Sequence, residues 1–477
     1  MRAAGVIAAL AALAVAGGCG GDTPPAAAPD GSTLRATLVD RDGDGFLDRG
    51  PGAPLVDRGG RGAPGRTIAT FAQLTDTHVR DEESPARAPF LDRLGEPFTT
   101  AFRPQEALSA QVLDAAVRAV NAERPDAVVV TGDIVDSAQA NELELALAVL
   151  DGRRADPDSG ARGYAGVQAA DNPDPFYYRP GNDAPRHPGL LAAAQRPFAA
   201  AGLDAPWYAA VGNHDVLVQG EVPPTPDIEA VATGDRLVTS LDPRLRPPAD
   251  ERLAPAVTQA VLDQGFADAG ERVPADARRR HVPADGVVAR LAAGTGVTPR
   301  GERLDYAFDI GPRVRAIVLD TVRRAGGARG VVSPEQVAWL QAQLRAAGER
   351  RLVVFSHNPL DASDGGEAAM AALDAAPGVV AAVAGNRHRN SIDRRPAGWW
   401  LIGTSSLADF PQQARAFRLR EGPVGGAVLE TWMVDHDGRD LAGVSRELAY
   451  LDAQGGRPQG YAGSATDRNA RLYVPAR

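Results

Sequence analysis

Residues able to bind a metal or move a proton recur just past apolar runs. QLTDTH places Asp76 and His78 after one run, VVVTGDIVD places Asp133 after a second, and AAVGNHD places Asn213, His214 and Asp215 after a third. Further on, VVFSH ends in His357, and VAAVAGNRHRNSI carries Asn386 and His388. Carboxylates and imidazoles suit Mn²⁺, Fe or Zn²⁺. A bridging carboxylate can hold two ions close together, and two ions about 3.5–4 Å apart can clamp a phosphoryl group and generate hydroxide near neutral pH.

Such residues need a scaffold that brings strand ends together. TIATFAQL, PDAVVV, APWYAAV, VRAIVL, RLVVF, GVVAAVA and GWWLI read as short buried strands. Between them lie helical patterns. RPQEALSAQVLDAAVRAVNAE sets Leu108, Val112, Ala116 and Val120 on one face. SPEQVAWLQAQLRAAG opens with Ser333 as N-cap, Pro334 at the first helical position and Gln336 completing a capping box, and closes at Gly348. The alternation is that of an α/β protein, whose sites form past the strand ends. Two segments of low periodicity, near 151–205 and 216–303, interrupt it. They read as insertions that wall the site, because motif residues stand on both sides of them. GAVLETWMVDHDG and LAYLDA read as a C-terminal strand pair, with DRNARLYVP tying down the tail.

Composition excludes several alternatives. All 51 basic residues are arginine, so chemistry that depends on a lysine, such as a phosphate-binding loop lysine or a Schiff base, is absent. One cysteine, Cys19, excludes intrachain disulfides and Cys–His catalysis in the body. A formal net charge of −10 with no basic tract argues against nucleic acid as a partner.

The N-terminus explains the cysteine. Arg2 precedes an apolar run from Ala3 to Ala16 that is too short to span a bilayer. It leads into Ala16-Gly17-Gly18-Cys19, which resembles a bacterial lipoprotein signal, with residues 1–18 removed and Cys19 lipidated. An ordinary secretory signal cut after Ala14-Val15-Ala16 is the alternative. Residues 19–35 read as a flexible tether, and 36–65 as an N-terminal extension. The expected location is the outer face of the cell membrane, held by the lipid alone, or outside the cell. In the extension, DRDGDGFLD spaces Asp40, Asp42, Asp44 and Asp48 like the first half of a Ca²⁺ loop, although Pro51 stands where such a loop needs its bidentate Glu.

The order D-x-H, G-D, G-N-H-D, H and G-x-x-H resembles the calcineurin-like metallophosphoesterase family, from about Phe71 to Ser406. SPAR, NELELALAVLDG, WLQAQL and DFPQQ further resemble an exported bacterial branch of unknown substrate. The resemblance implies a two-sheet sandwich flanked by helices, spanning residues 66–477. It implies two divalent ions, Mn²⁺ or Fe, with Zn²⁺, Mg²⁺ or Ca²⁺ as alternatives. Asp76, His78 and His388 would hold the first, Asp133 would bridge, and Asn213 and His357 would hold the second. A metal-activated hydroxide would attack the phosphorus of a small-molecule mono- or diester. His214 would contact the phosphate and protonate the leaving oxygen, and Asp215 would orient His214 and favour its protonated form.

One position departs from the family. Its last motif is usually G-H-x-H, and Asn386 stands where the first His would bind the second ion. An amide oxygen still coordinates, as a harder donor, and would shift preference toward Mn²⁺, Mg²⁺ or Ca²⁺. Arg387 and Arg389 beside it could add positive charge for phosphate. The rival reading is a non-catalytic surface lipoprotein with an incomplete site.

The remaining candidates are plainer. Asp136 is expected to steady a ligand and Asn141 to cap a helix. His187, His281 and His436 are expected in solvated polar loops, His281 with some chance of reaching substrate. Trp207, Tyr208, Trp399 and Trp400 are expected in the core. Ser405 and Ser406 lack the context of a nucleophile.

Overall fold

The computed structural model describes residues 31–44, 46–95, 98–237, 256, 271–436, 438–454 and 460–476. The expected signal peptide, Cys19, most of the tether and much of the second insertion lie outside the described residues.

The apolar runs do form strands, and they sort into two sheets. The first runs in the order Val56–Arg58, Ala470–Val474, Ala427–Asp435, Gln413–Glu421, Thr67–Leu74, Ala127–Thr131, Trp207–Ala210. The second runs Tyr306–Asp309, Val314–Leu319, Arg351–Ser356, Val379–Ala384, Trp400–Gly403, Ser391–Arg394. Each has a parallel part: Thr67–Leu74, Ala127–Thr131 and Trp207–Ala210 at one end of the first, and the four strands from Val314–Leu319 to Trp400–Gly403 at the centre of the second.

Parallel strands buried on both faces need apolar residues at every position, and period two then divides them. Ala316, Val318, Val353 and Phe355 face the core shared by the sheets, whereas Ile317, Leu319, Leu352 and Val354 pack under Leu340 and Leu373 of the helices Pro334–Ala346 and Gly366–Ala375. Phe71 joins the sheets, its ring 4.7 Å from Phe417 in its own sheet and 5.9 Å from Phe355 in the other. On the first sheet's outer side, helix Ser109–Glu123 buries Val112, Ala116 and Val120. The Ser333 capping box forms as expected. The fold is the expected α/β two-sheet architecture flanked by helices.

Several expectations change. The chain is docked before the tether was expected to end: Asp435 N donates to the Gly31 carbonyl at 2.8 Å, and Thr33 Oγ1 donates to the Met433 carbonyl at 2.8 Å. LAYLDA is not a strand but part of helix Asp440–Gln454, because Leu441, Val444 and Leu448 recur at helical spacing and pack with Leu108 and Leu190. Ala427–Asp435 pairs instead with Gln413–Glu421 and Ala470–Val474. His281 and His436 are buried, not solvated. His281 lies in a two-residue bridge with Gln139, and neither of its ring nitrogens has a hydrogen bond. Trp207, Trp399 and Trp400 are in the core as expected.

Candidate metal centre

The C-terminal ends of the parallel strands meet on one side of the molecule. Asp76 and His78 follow Thr67–Leu74, Asp133 follows Ala127–Thr131, and Asn213 and His214 open the short helix after Trp207–Ala210. His357 follows Arg351–Ser356, and Asn386 and His388 follow Val379–Ala384. Asp76, His78, Asp133, Asn386 and His388 all have positive φ, between +42° and +65°. That turns each side chain off its strand axis and toward the common point. The motif glycines allow close passage: a Cβ on Gly212 would stand 2.1 Å from Asp133 N, and one on Gly385 2.1 Å from Thr75 Oγ1.

Asp76, His78, Asp133 and His388 each offer one ligand atom, all within 4.8 Å of one another. His78 Nε2 and His388 Nε2 are 3.2 Å apart, and His388 Nε2 is 3.4 Å from Asp76 Oδ1. The other ring nitrogens are tied back, His78 Nδ1 to Asp136 Oδ1 at 3.0 Å and His388 Nδ1 to Asp409 Oδ2. A carboxylate on Nδ1 keeps the proton there and aims the Nε2 lone pair inward. His357 repeats the device with a carbonyl: Nδ1 donates to Thr131 O at 2.8 Å, and Nε2 faces Asn213 Oδ1 at 3.1 Å and Asp133 Oδ2 at 3.2 Å. Asp133 Oδ2 is also 3.7 Å from His78 Nε2, so one carboxylate faces both groups. Acceptor atoms crowded at these distances fit a cation between them.

The carboxylates at this point also act on the imidazoles beside them. Burial pulls the His388 imidazole down, but Asp76 and Asp409 outweigh it and raise it to about 9. His357 rises to about 10, with Asp133 outweighing burial. His78, by contrast, is lowered to about 4 by burial and by nearby His214.

The structure places Asp215 away from the His214 ring. Its buried carboxylate accepts from the backbone N–H groups of Gly212 at 2.7 Å, Ile134 at 2.8 Å and Val135 at 3.1 Å, bracing the Asp133 turn. Burial first, and then Asp133, raises this carboxyl to about 7. Asp136 takes the part expected of Asp215: His214 Nδ1 lies 2.7 Å from its carbonyl oxygen and 3.8 Å from its Oδ1. Asp136 also forms an ion pair with Arg80 at 3.1 Å, and its carboxyl is held well below the usual range because Arg80, His78 and Arg87 outweigh burial. Asn141 lies inside its helix and donates to Asp81 Oδ2 at 2.7 Å; Gln139 is the N-cap.

Asn386 N donates to both Asp76 oxygens, at 3.0 and 3.1 Å. Its Oδ1, the atom expected to face a metal, accepts from Asn358 Nδ2 at 3.1 Å. Sequence reading missed Asn358, Asp409, Arg80 and Arg87. The dense charge in HVRDEESPAR, just after His78, was the available signal for the two arginines.

The cluster opens into a cavity of about 1010 Å³. Its walls come from Leu91, Phe98 and Ala101 in one segment and Arg323, Gly326 and Arg329 in another. The first insertion departs from the expectation that it walls the site. No residue of 151–205 lines the cavity, and among the described residues 216–303 contributes only Gln219 and Glu221. The first insertion instead packs Val167 and Tyr177 behind Phe102. Arg387 lines the cavity mouth and pairs with Asp361 at 3.4 Å, whereas Arg389 is exposed and does not line it. In the extension, Asp40, Asp42 and Asp44 bring carboxylate oxygens within 4.8 Å of one another, while Asp48 lies in strand Asp48–Pro51, outside that group.

No protein-family model and no curated protein matches the chain. Among solved structures it is similar to a dimetal phosphatase from Danio rerio, with 15% identity and a TM-score of 0.41 over 78% of this chain and 97% of that one. It is also similar to a 5'-nucleotidase from Candida albicans, with 11% identity and a TM-score of 0.29 over 82% of this chain and 59% of that one. Likeness at this level has no bearing on the activity of this chain.

Proposed function

We propose that the chain is a divalent-metal-dependent phosphoesterase that hydrolyses a phosphate mono- or diester of a small molecule. The supporting observation is the convergence of His78 Nε2, His388 Nε2 and the Asp76 and Asp133 carboxylates, with both Nδ1 atoms tied back. Asp76, His78 and His388 would hold one ion, Asp133 would reach both, and Asn213 and His357 would hold the second. This donor set suits Mn²⁺ or Fe and admits Zn²⁺, Mg²⁺ or Ca²⁺. When bound, such ions supply Lewis-acid charge at the phosphoryl oxygens and lower the pKa of water.

The side chains supply the rest. With Nδ1 donating to the Asp136 carbonyl, His214 keeps Nε2 as its remaining proton site, suited to contacting the phosphate and protonating the leaving oxygen. Asp136 positions both His78 and His214. Asp215 positions Asp133 through the turn it braces. Arg387 would meet an anionic substrate at the mouth. The N-terminal sequence supports export, with lipid on Cys19 and the body on the outer face of the membrane.

The test is hydrolysis of bis-p-nitrophenyl and p-nitrophenyl phosphate by metal-stripped protein, with and without Mn²⁺, and with Asp133→Ala as control. Turnover that saturates with Mn²⁺ and vanishes in the control is expected, and the better of the two substrates assigns diester or monoester. One tightly bound ion without turnover in any metal would favour the binding-lipoprotein reading.

A further inference from the structure

Asn358 is buried, and each of its side-chain polar atoms has an assigned partner. Thr321 Oγ1 accepts from Asn358 N at 3.2 Å, so its own proton is free to go to Asn358 Oδ1, 3.1 Å away. Asn358 Nδ2 lies 2.8 Å from the Ala328 carbonyl oxygen. A carbonyl only accepts, so the atom facing it must be the amide nitrogen. The second hydrogen of that nitrogen points at Asn386, 3.1 Å away, and the Asn386 atom that receives it must be Oδ1. A wall of fixed polarity therefore sets the orientation of the Asn386 amide.

The consequence falls on the other end of that amide. Asn386 lines the cavity and is only partly buried. Its Nδ2 has no hydrogen-bond partner among the described residues, and it is not shut away from solvent. We infer that Asn386 meets the cavity with its N–H₂ group and binds a phosphoryl oxygen as a hydrogen-bond donor, rather than binding the second cation, and that Asn358 imposes this orientation. The inference rests on the phosphoesterase reading above and refines it. The second ion would keep Asp133, Asn213 and His357 as its protein ligands, and the position left by a missing imidazole would serve the anion. A donor held in place before substrate arrives needs no reorientation to meet developing charge.

Two binding measurements separate donor from ligand without turnover. Mn²⁺ titration of the metal-stripped protein counts ions and their affinities, and titration of the Mn²⁺-loaded protein with inorganic phosphate reads the anion. Asn386→Ala should leave both Mn²⁺ affinities within about twofold and weaken phosphate about tenfold, in line with a lost hydrogen bond to a charged group. Asn358→Asp sharpens the test by replacing the donor at that wall with an acceptor. The Asn386 amide should then turn its oxygen to the cavity, tightening the second Mn²⁺ and weakening phosphate. If Asn386→Ala abolishes the second Mn²⁺ event, or leaves phosphate affinity unchanged, the inference is overturned while the phosphoesterase reading stands. If the unsubstituted protein binds no Mn²⁺, both fall. If Asn358→Asp fails to fold, Asn386→Ala decides alone.

Discussion

Two clusters of buried charge adjoin each other behind and within the cavity, and they are neutralised in different ways. Behind it, Glu106 receives Arg87 through both terminal nitrogens, at 2.8 and 2.9 Å, and Arg80 at 3.3 Å. Asp81 receives Arg279 at 2.8 Å, Asn141 at 2.7 Å and Ser159 at 2.8 Å. Glu142 receives the backbone N–H groups of Asp81 at 3.0 Å and Ser137 at 2.8 Å. There the carboxylates point at donors the chain itself provides. Within the cavity, Asp76 and Asp133 accept backbone N–H groups from Asn386 and His214 and also face the Nε2 atoms of His78, His357 and His388. A cluster satisfied from inside is scaffold. A cluster whose ligand-type atoms converge can hold a cation from outside. Asp136 belongs to both, paired with Arg80 on one side and hydrogen-bonded to His78 on the other.

That contrast can be broken most severely at Asp133. Asp133→Ala should reduce Mn²⁺-dependent hydrolysis of p-nitrophenyl phosphate by more than the ~10²–10³-fold expected for one lost transition-state donor, with an unchanged circular dichroism spectrum. In the scaffold cluster the damage should fall on stability. Arg87→Met leaves Glu106 short of its bidentate partner, and denaturant titration should show a loss of about 3–5 kcal/mol, with Mn²⁺ stoichiometry unchanged in the fraction that folds. A substitution at the shared residue should register in the metal. Asp136→Asn keeps an acceptor near His78 but removes the charge, and Mn²⁺ affinity should fall about 10–100-fold.

The smallest effect concerns pH. Burial raises Glu83 to about 7, and burial with Asp136 raises Glu142 to about 8, from an ordinary 4.5. A carboxyl whose folded pKa lies above its unfolded one gives stability that is complete below the unfolded value and lost as pH rises through the folded one. Above about pH 6.5, where the lowered His78 and His281 no longer oppose it, the Tm of metal-stripped protein should therefore decline toward pH 8. Glu142→Gln should flatten the upper part of that decline, and an unchanged slope would place the effect elsewhere.

The ligand-type residues and the strands that carry them were legible because each motif is local: an apolar run, a turn and a polar side chain. What was not legible came from contacts between distant segments. Asp409 reaches His388 from beyond the next two strands, and Arg103 holds Asp409 at 2.6 Å across 306 positions. The family resemblance pairs Asp215 with His214. In the first turn of a helix, however, successive side chains diverge by about 100°, so the carboxylate turns back to the turn it caps while His214 meets Asp136. The identity of Asn386 was plain, but the direction of its amide was not, since that depends on Asn358 and the loop at Ala328.

The left-handed backbone at the site bears on how this chain can change. Asp76, His78, Asp133 and His388 hold a conformation that costs a non-glycine residue about 1–3 kcal/mol, whereas glycine adopts it freely. Replacing any of them by glycine would relieve that cost at the position where function is lost. That relief would be set against the buried pairs and hydrogen bonds the same side chains make, so persistence of these residues in a lineage would record both structure and activity being selected. Asp76, Asp133 and Asn386, of residue types that tolerate this conformation, are members whose identity pressure for that relief would alter less than that of His78 and His388.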